Sequence, residues 1–395
     1  MIQHPAPNSR FFIVLIFSSI LGILLSSCAA KKAWYDKAHM NWAELSPPPV
    51  EQLEHSVFLV GDAGKVYTGD KVMTILRRQL EAENRPSNAV VFLGDNIYPE
   101  GMPEEGDPSR AESEKRLKGQ MDAVKGAPAW SVFIPGNHDW NDQGEGGLEG
   151  IKRQADFLQS YMESDTSFYP QNGCPGPVVI HPHPNLALIL VDTEWWVHKF
   201  EKPDGPEDGC SIYTKEGYIE ALREAVQTHK DKHIVIAQHH PFYTNGNHGG
   251  RYPGLDHLFP LRAFNSSLFI PLPILGTAYV VSRKSGISPE DVAGKPYADL
   301  KRRTMEAVAG EKQVVISAGH EHILQYNQVA NVHHILSGSG AKVDYGRKGK
   351  GAAFVHMERG YARVNYYKDG SAWVEYWEPT EVLGEGKVVF RKKLY

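Results

Sequence analysis

The sequence predicts an α/β fold in which short buried strands alternate with amphipathic helices. Three observations carry this. From residue 55 onward, runs of four to six residues rich in Val, Ile, Leu and Phe recur, with the length and composition of buried strands. Between them lie stretches whose apolar residues repeat at helical spacing. Most of the apolar runs stop abruptly at Gly, Asp, Asn or His. Such alternation is the pattern of a layered α/β core.

The amino-terminal segment stands outside this pattern. Residues 11–25 read FFIVLIFSSILGILL and follow Arg10. This stretch is short for a membrane-spanning helix, which needs about 20 residues, and suits the apolar core of a secretory signal. The residues LSSC, Leu25 to Cys28, resemble a bacterial lipoprotein signal. That resemblance implies a signal over 1–27, lipid on Cys28, and a mature chain tethered to the membrane of the bacterial envelope, facing the periplasm or the surface. An uncleaved amino-terminal anchor is the alternative. Residues 28–54, with SPPP at 46–49, read as a tether with little structure. The remaining cysteines, Cys174 and Cys210, could pair in an oxidising compartment or remain as two buried thiols.

The folded part then runs over 55–395. Its first apolar runs are SVFLV (56–60), AVVFL (89–93), WSVFIP (130–135), LALILV (186–191), HIVIAQ (233–238) and QVVISA (313–318). DKVMTILRRQL places Val72, Ile75, Leu76 and Leu80 on one helical face, and TKEGYIEALREAVQ does the same with Tyr218, Leu222 and Val226. The carboxyl-terminal part is richer in strand patterns: NVHHILSG, AAFVHMER, YARVNYYKDG, SAWVEYWE and KVVFRKK. In NVHHILSG, His333 and His334 would fall one inside and one outside, and KDGS at 368–371 signals a hairpin. Residues 249–310 break the rhythm and read as an insertion between two core strands, either a flap over a pocket or packing decoration. With 395 residues the chain can bury a sizeable core. A net charge of −5, with both signs interspersed, offers no basic stripe for nucleic acid. Oligomeric state is not encoded in any feature of the sequence.

The chemistry is concentrated at strand ends. VGDAG supplies Asp62. LGDNIY supplies Asp95, Asn96 and Tyr98. PGNHDW supplies Asn137, His138 and Asp139. AQHHP supplies His239 and His240, and AGHEH supplies His320 and His322. Side chains at the carboxyl ends of neighbouring strands converge on one crevice, and carboxylate, amide oxygen and imidazole together suit first-row metals. One Gly-Asp after a strand is usually a turn; five polar endings in this order point to a metal centre.

On these motifs, and on GHEHILQY and LSGSGAK that accompany them, the chain resembles the calcineurin-like metallophosphatases, and within them the small, tartrate-resistant type of purple acid phosphatase. The resemblance spans about residues 55–395, apart from the insertion. It implies a layered β-sandwich of two mixed sheets flanked by helices, with a dinuclear metal site at the carboxyl ends of the strands. It implies Fe(III) held by Asp62, Asp95, Tyr98 and His322. A divalent ion, Fe, Zn or Mn, would be held by Asp95 as a bridge together with Asn137, His239 and His320. Where the wider superfamily has a ligand histidine in the first motif, this chain has Gly64; the resemblance implies that Tyr98 replaces it. The family form His-X-Pro selects His239 through Pro241, with His240 as the competing ligand. His138 and His248, the latter nine residues after His239, would face substrate.

The implied activity is hydrolysis of a phosphate ester by metal-activated hydroxide attacking in line, foremost as an acid phosphomonoesterase anchored to the membrane by its lipid. Two further readings compete: a phosphodiesterase acting on nucleotides or lipid head groups, and a non-catalytic envelope lipoprotein with a structural metal site. Remaining features read as structural. HPHP (181–184) could take a metal but reads first as loop, NSS (265–267) as a sequon without force in a bacterial protein, and Trp195 and Trp196 as core rather than pocket rim.

Overall fold

The computed structural model describes residues 32–263 and 267–395. The expected signal, Cys28 and most of the NSS triplet lie outside them. Residues 33–395 form one unit. Its elements, in order, are β1 (Trp34–Tyr35), β2 (Leu53–Val60), α1 (Lys71–Glu83), β3 (Ala89–Phe92), α2 (Arg110–Val124), β4 (Trp130–Phe133) and α3 (Gly147–Met162). There follow β5 (Val178–Ile180), β6 (Leu186–Leu190), α4 (Glu194–Val197), α5 (Lys215–Thr228), β7 (His233–Ala237), α6 (Gly254–Leu258), α7 (Pro273–Lys284) and α8 (Lys295–Ala307). The chain ends with β8 (Val314–Ala318), β9 (Leu324–Val329), β10 (Val332–Ser337), β11 (Ala352–His356), β12 (Tyr361–Tyr367), β13 (Ala372–Pro379) and β14 (Gly386–Lys393).

These strands make two mixed sheets. One runs β14-β13-β12-β2-β3-β4 and the other β1-β11-β9-β10-β8-β7-β6-β5. Within them β2-β3-β4 and β6-β7-β8-β10 are parallel, so their apolar runs are continuous because both faces are covered. The inner faces meet through Val57, Leu59, Val91, Leu188, Val235, Val315, Phe354 and Val364. Residues of the opposite parity, such as Phe58, Val60, Val90 and Phe92, pack outward on Val72, Ile75, Leu76 and Leu80 of α1. On the second sheet Ile234, Ile236, Val314 and Ile316 pack against Tyr218, Leu222 and Val226 of α5. Each fully buried Val, Leu or Ile contributes about 1.5–3 kcal/mol. The helix starts are capped as their sequences require: Asp70 accepts from Val72 N at 2.8 Å, and Thr214 from Gly217 N at 3.0 Å.

Three features differ from the sequence expectation. Residues 34–52 are not a loose tether. β1 pairs antiparallel with β11, Tyr35 stacks on Phe354 and donates to Val389 O at 2.9 Å, and Trp42 packs on the core. The aromatic side chains bury themselves and cover a sheet edge. Second, the segment 249–310 contains a core element. Parallel β7 and β8 need a crossover, and α8 supplies it, burying Tyr297 and Leu300 in the same layer as α5; residues 249–294 are the part outside the layers. Third, His333 and His334 are both buried, because β10 is covered on both faces. Cys174 and Cys210 are joined by a disulfide. Trp195 and Trp196 are core residues. Among the described residues no helix is long and apolar enough to cross a membrane.

The two β10 histidines make stability depend on pH. His333 accepts or donates toward Tyr326 Oη at 2.7 Å; burial, reinforced by Lys392, lowers its pKa to about 4. His334 packs its ring on Tyr243; burial, reinforced by Lys301 and His333, lowers its pKa to about 3. Folded, both rings stay neutral well below the value of about 6.5 at which they protonate in the unfolded chain. Their stabilising effect is complete above pH 6.5 and is lost as the pH falls from there toward 4 and 3, at about 1.4 kcal/mol per pH unit for each. Urea midpoints measured between pH 7 and pH 4.5 are expected to fall, and the fall is expected to be shallower in His334→Phe; an unchanged slope in that variant would contradict the assignment.

Candidate metal centre

Loops at the carboxyl ends of β2, β3, β4, β7 and β8 meet at one end of the sandwich. Asp62 follows β2, Asp95 and Tyr98 follow β3, Asn137 and His138 follow β4, His239 follows β7, and His320 and His322 lie between β8 and β9. Asp62, Asp95 and His320 have positive φ, 57°, 54° and 69°. Non-glycine residues adopt that region at a cost, and such strain collects at functional sites. Here it turns the chain sharply at the strand end and aims each side chain into the crevice.

The side chains form two groups that share Asp95. In the first, Tyr98 Oη lies 3.1 Å from Asp62 Oδ1, 2.9 Å from Asp95 Oδ2 and 3.0 Å from His322 Nε2. In the second, Asn137 Oδ1 lies 3.0 Å from His239 Nε2 and 2.9 Å from His320 Nδ1, and the two imidazole nitrogens are 3.3 Å apart. Asp95 Oδ1 is 3.3 Å from His239 Nε2. One carboxylate oxygen thus faces each group.

Each imidazole is oriented by its far nitrogen. His239 Nδ1 donates to Leu93 O at 2.8 Å, His320 Nε2 to Glu290 O at 3.0 Å, and His322 Nδ1 to Asp344 Oδ2 at 2.5 Å. In the neutral rings the inward nitrogens are therefore acceptors, as is Asn137 Oδ1. Tyr98 has one proton for three acceptors. Acceptors at this spacing need positive charge between them, from a bound ion or from second protons on His239 and His322, which burial opposes but Asp95, Asp62 and Asp344 favour. Ligand atoms held about 2.1 Å from an ion lie about 3 Å apart around it, so the donor set fits two first-row ions: Asp62, Asp95, Tyr98 and His322 could hold one, and Asp95, Asn137, His239 and His320 the other. His240 points elsewhere, with Nδ1 on Thr193 Oγ1 at 2.8 Å and Nε2 on Glu290 Oε2 at 3.0 Å.

The side chains' electrostatics follow from burial and crowding. Burial alone would raise the Asp95 pKa, but His239, His138 and Lys342 hold it below the usual carboxylate range. Burial, with Asp62 and Asp95, raises the Tyr98 phenol well above its ordinary value. Burial and the neighbours His248, His240 and His239 hold His320 well below the usual imidazole range. Burial pulls His322 down, but Asp344 and Asp62 outweigh it and set it at about 9.

Gly64 is explained by its surroundings. A Cβ there would sit 2.7 Å from Asp95 O and 2.7 Å from Ile97 N. The β3 loop occupies the space a side chain would need, and Gly64 N donates to Asp95 O at 2.9 Å. Close packing of this loop on Gly64 is what carries Tyr98 into the cluster.

His138 stands beside the site, its ring edge-on to Tyr98 at 4.5 Å, its Nδ1 on Pro99 O, and its side chain 21% exposed. His248 packs its ring 4.0 Å from that of His320, with Nδ1 2.9 Å from Glu290 O and 3.2 Å from Asp291 Oδ1. Asp139 does not touch His138. It accepts from Asn96 N at 3.0 Å and Gly136 N at 2.8 Å, pinning the second and third loops together.

Several residues that shape the site carried no sequence signal. Glu290 touches His240 and, through its carbonyl, both His320 and His248. It belongs to the irregular segment after α7, as does Asp291, which Arg283 grips in a fork at 2.5 and 2.6 Å. Asp344 follows the Gly-rich turn. Lys342 Nζ lies 3.0 Å above the Tyr98 ring. Of these, only Lys342 lies in a motif that the sequence marks, LSGSGAK.

No family model matches the chain. Over 216 residues it is 23% identical to purple acid phosphatase 7 of Arabidopsis thaliana, a match covering 53% of this chain and 60% of that protein. The chain thus spans less than two thirds of that relative's length. The structure of purple acid phosphatase PPD1 from yellow lupin (Lupinus luteus) seeds matches 88% of this chain and 55% of its own, with 12% identity and a TM-score of 0.52. The two share a fold: two mixed sheets flanked by helices. GAP50, the anchor in the inner membrane complex of Plasmodium, aligns over 86% of this chain and 88% of its own, with 14% identity and a TM-score of 0.48.

Because Asp95 faces both groups and Asp344 supports only one, their removal should differ. Elemental analysis after dialysis is expected to show a larger loss of bound metal in Asp95→Asn than in Asp344→Asn. Equal losses would contradict the shared position of Asp95.

Proposed function

We propose that the chain is a metal-dependent phosphoester hydrolase, foremost an acid phosphomonoesterase, tethered to the bacterial envelope by lipid on Cys28. The observation that carries this reading is the convergence of seven acceptor-bearing side chains at one end of the sandwich, the three imidazoles among them oriented from behind. The similarity to a purple acid phosphatase over 53% of the chain supports the substrate class. The disulfide supports an oxidising compartment.

In this reading Asp62, Asp95, Tyr98 and His322 hold Fe(III), and Asp95, Asn137, His239 and His320 hold a divalent ion, Fe, Zn or Mn. Bound there, two cations supply Lewis acidity, clamp phosphoryl oxygens and lower the pKa of water. The protein's own part is to hold and orient. Asp95 fixes the relation of the two groups. Asp139 locks the loops that carry Asp95 and Asn137. Glu321 accepts from Thr244 Oγ1 and Gly249 N, both at 3.1 Å, and so fixes the loop that carries His248. His138 and His248 flank the centre as donors to a phosphate ester and its leaving oxygen. Lys342 adds positive charge on the Tyr98 side.

The full chain in detergent, supplied with metal, is to be assayed on a phosphate monoester and a matched diester at pH 5 and pH 8. Preferential monoester turnover, greatest at pH 5, is expected. His138→Ala and His248→Ala should each lower kcat/KM by about 10²-fold or more, and Asp95→Asn should abolish turnover. A diester preference would move the reading to a phosphodiesterase of nucleotides or lipid head groups. No turnover with metal bound would leave a structural metal site in an envelope lipoprotein.

A further inference from the structure

We propose that Glu54, His55 and His183 form a second, separate metal site at the amino ends of the strands, which takes a divalent first-row cation such as Zn²⁺ and ties the two sheets together. His55 lies in β2 of one sheet, and His183 lies in the turn before β6 of the other. The centre described above sits at the opposite, carboxyl end of β2 and its neighbours.

Four observations place a ligand here. One donor atom from each of the three residues lies within 4.8 Å of the other two. His55 is fully buried, yet neither of its ring nitrogens has a hydrogen-bond partner. An imidazole in that state is disfavoured against an apolar side chain of similar size, unless something binds it. The backbone is adapted to present both neighbours on one side. Adjacent strand residues normally point to opposite faces. Here His55 pairs with Tyr366 and Leu53 with Tyr367, so that Glu54 is the extra residue of a β-bulge, a device that re-aims side chains. The bulge brings the Glu54 carboxylate to the side of His55. Finally, the ring of His55 stacks on Tyr366 at 4.7 Å, which fixes its plane even when His183, 4.1 Å away on the other face, moves.

One carboxylate and two imidazoles, with a position left open, form a zinc-type donor set. In the stacked arrangement, with 19° between the ring planes, the two imidazoles cannot both point at one ion. Binding therefore turns His183, which is only partly buried on its turn, out of the stack. An ion held by residues of both sheets stabilises the folded chain in proportion to its occupancy.

The test uses the full chain in detergent, stripped with chelator and titrated with Zn²⁺, with Co²⁺ as the spectroscopic probe. It is run in Asp95→Asn, which disables the other centre, and in the same background with His183→Ala or Glu54→Gln added. Asp95→Asn is expected to bind one Zn²⁺ at this site, to gain Tm on binding, and to show the visible bands of low-coordinate Co²⁺. Adding His183→Ala should remove the bands and the Zn²⁺-dependent Tm gain, and adding Glu54→Gln should weaken Zn²⁺ binding at least tenfold. Both positions are partly exposed, so the comparison does not hinge on the buried His55. Unchanged Zn²⁺ stoichiometry, Co²⁺ bands and Tm gain in the His183→Ala background would overturn the proposal.

Discussion

Too few protons for too many acceptors is the constraint on which the upper end of this molecule depends. Asn137 Oδ1 and the inward nitrogens of His239 and His320 stand 2.9–3.3 Å apart, and the far nitrogens of those rings are already committed to Leu93 O and Glu290 O. Such a group is unfavourable without positive charge, from an ion or from a second proton on His239, because buried lone pairs repel and have lost their water. The rest of the fold serves to hold it. Parallel strands deliver the loops to one end, positive-φ residues turn each side chain inward, and carbonyls or carboxylates fix the imidazoles from behind. The sandwich core, with inner faces of Val, Leu and Phe, keeps those strand ends from relaxing apart.

Gly64 and Tyr98 show how one local packing choice changes the chemistry available. A side chain at position 64 would collide with the backbone of Asp95 and Ile97. With glycine there, the β3 loop settles onto the β2 loop, and the tyrosine that follows it reaches Asp62, Asp95 and His322 together. That group then contains a phenol, and phenolate favours a harder, more highly charged ion than imidazole does. Loop packing and ligand identity are thus one feature, which neither residue reveals alone.

Much of this was legible in the sequence, for physical reasons. Asp62, Asp95, Asn137, His239 and His320 each follow a buried strand by only a few residues, so strand periodicity and a polar ending located them. Helices α1 and α5 were legible because their apolar residues recur at helical spacing, whereas the longer α2 and α3 were not picked out. What the sequence hid has equally physical causes. β1 and β5 are two or three residues long, too short for any period to show. Residues 34–52 look polar and proline-rich, while the few aromatic side chains that anchor them act through partners more than 300 residues away. Glu290 and Asp344 orient ligand imidazoles from irregular loops, where no pattern marks them. His333 and His334 were expected on opposite sides of a half-exposed strand, but β10 has two covered faces.

The two ends of the sandwich are built on opposite terms. At the carboxyl ends, acceptors are arranged with full support from a surrounding set of partners. At the amino ends, His55 is buried without any. One measurement bears most directly on the metal centre at the carboxyl ends. Chelator-stripped protein is reconstituted with iron and zinc while the visible absorbance and the hydrolysis of a phosphate monoester are followed together. A phenolate-to-iron band and activity are expected to return in step, and Tyr98→Phe to abolish the band. Full activity in the stripped protein, or a band that survives Tyr98→Phe, would contradict this reading of the centre.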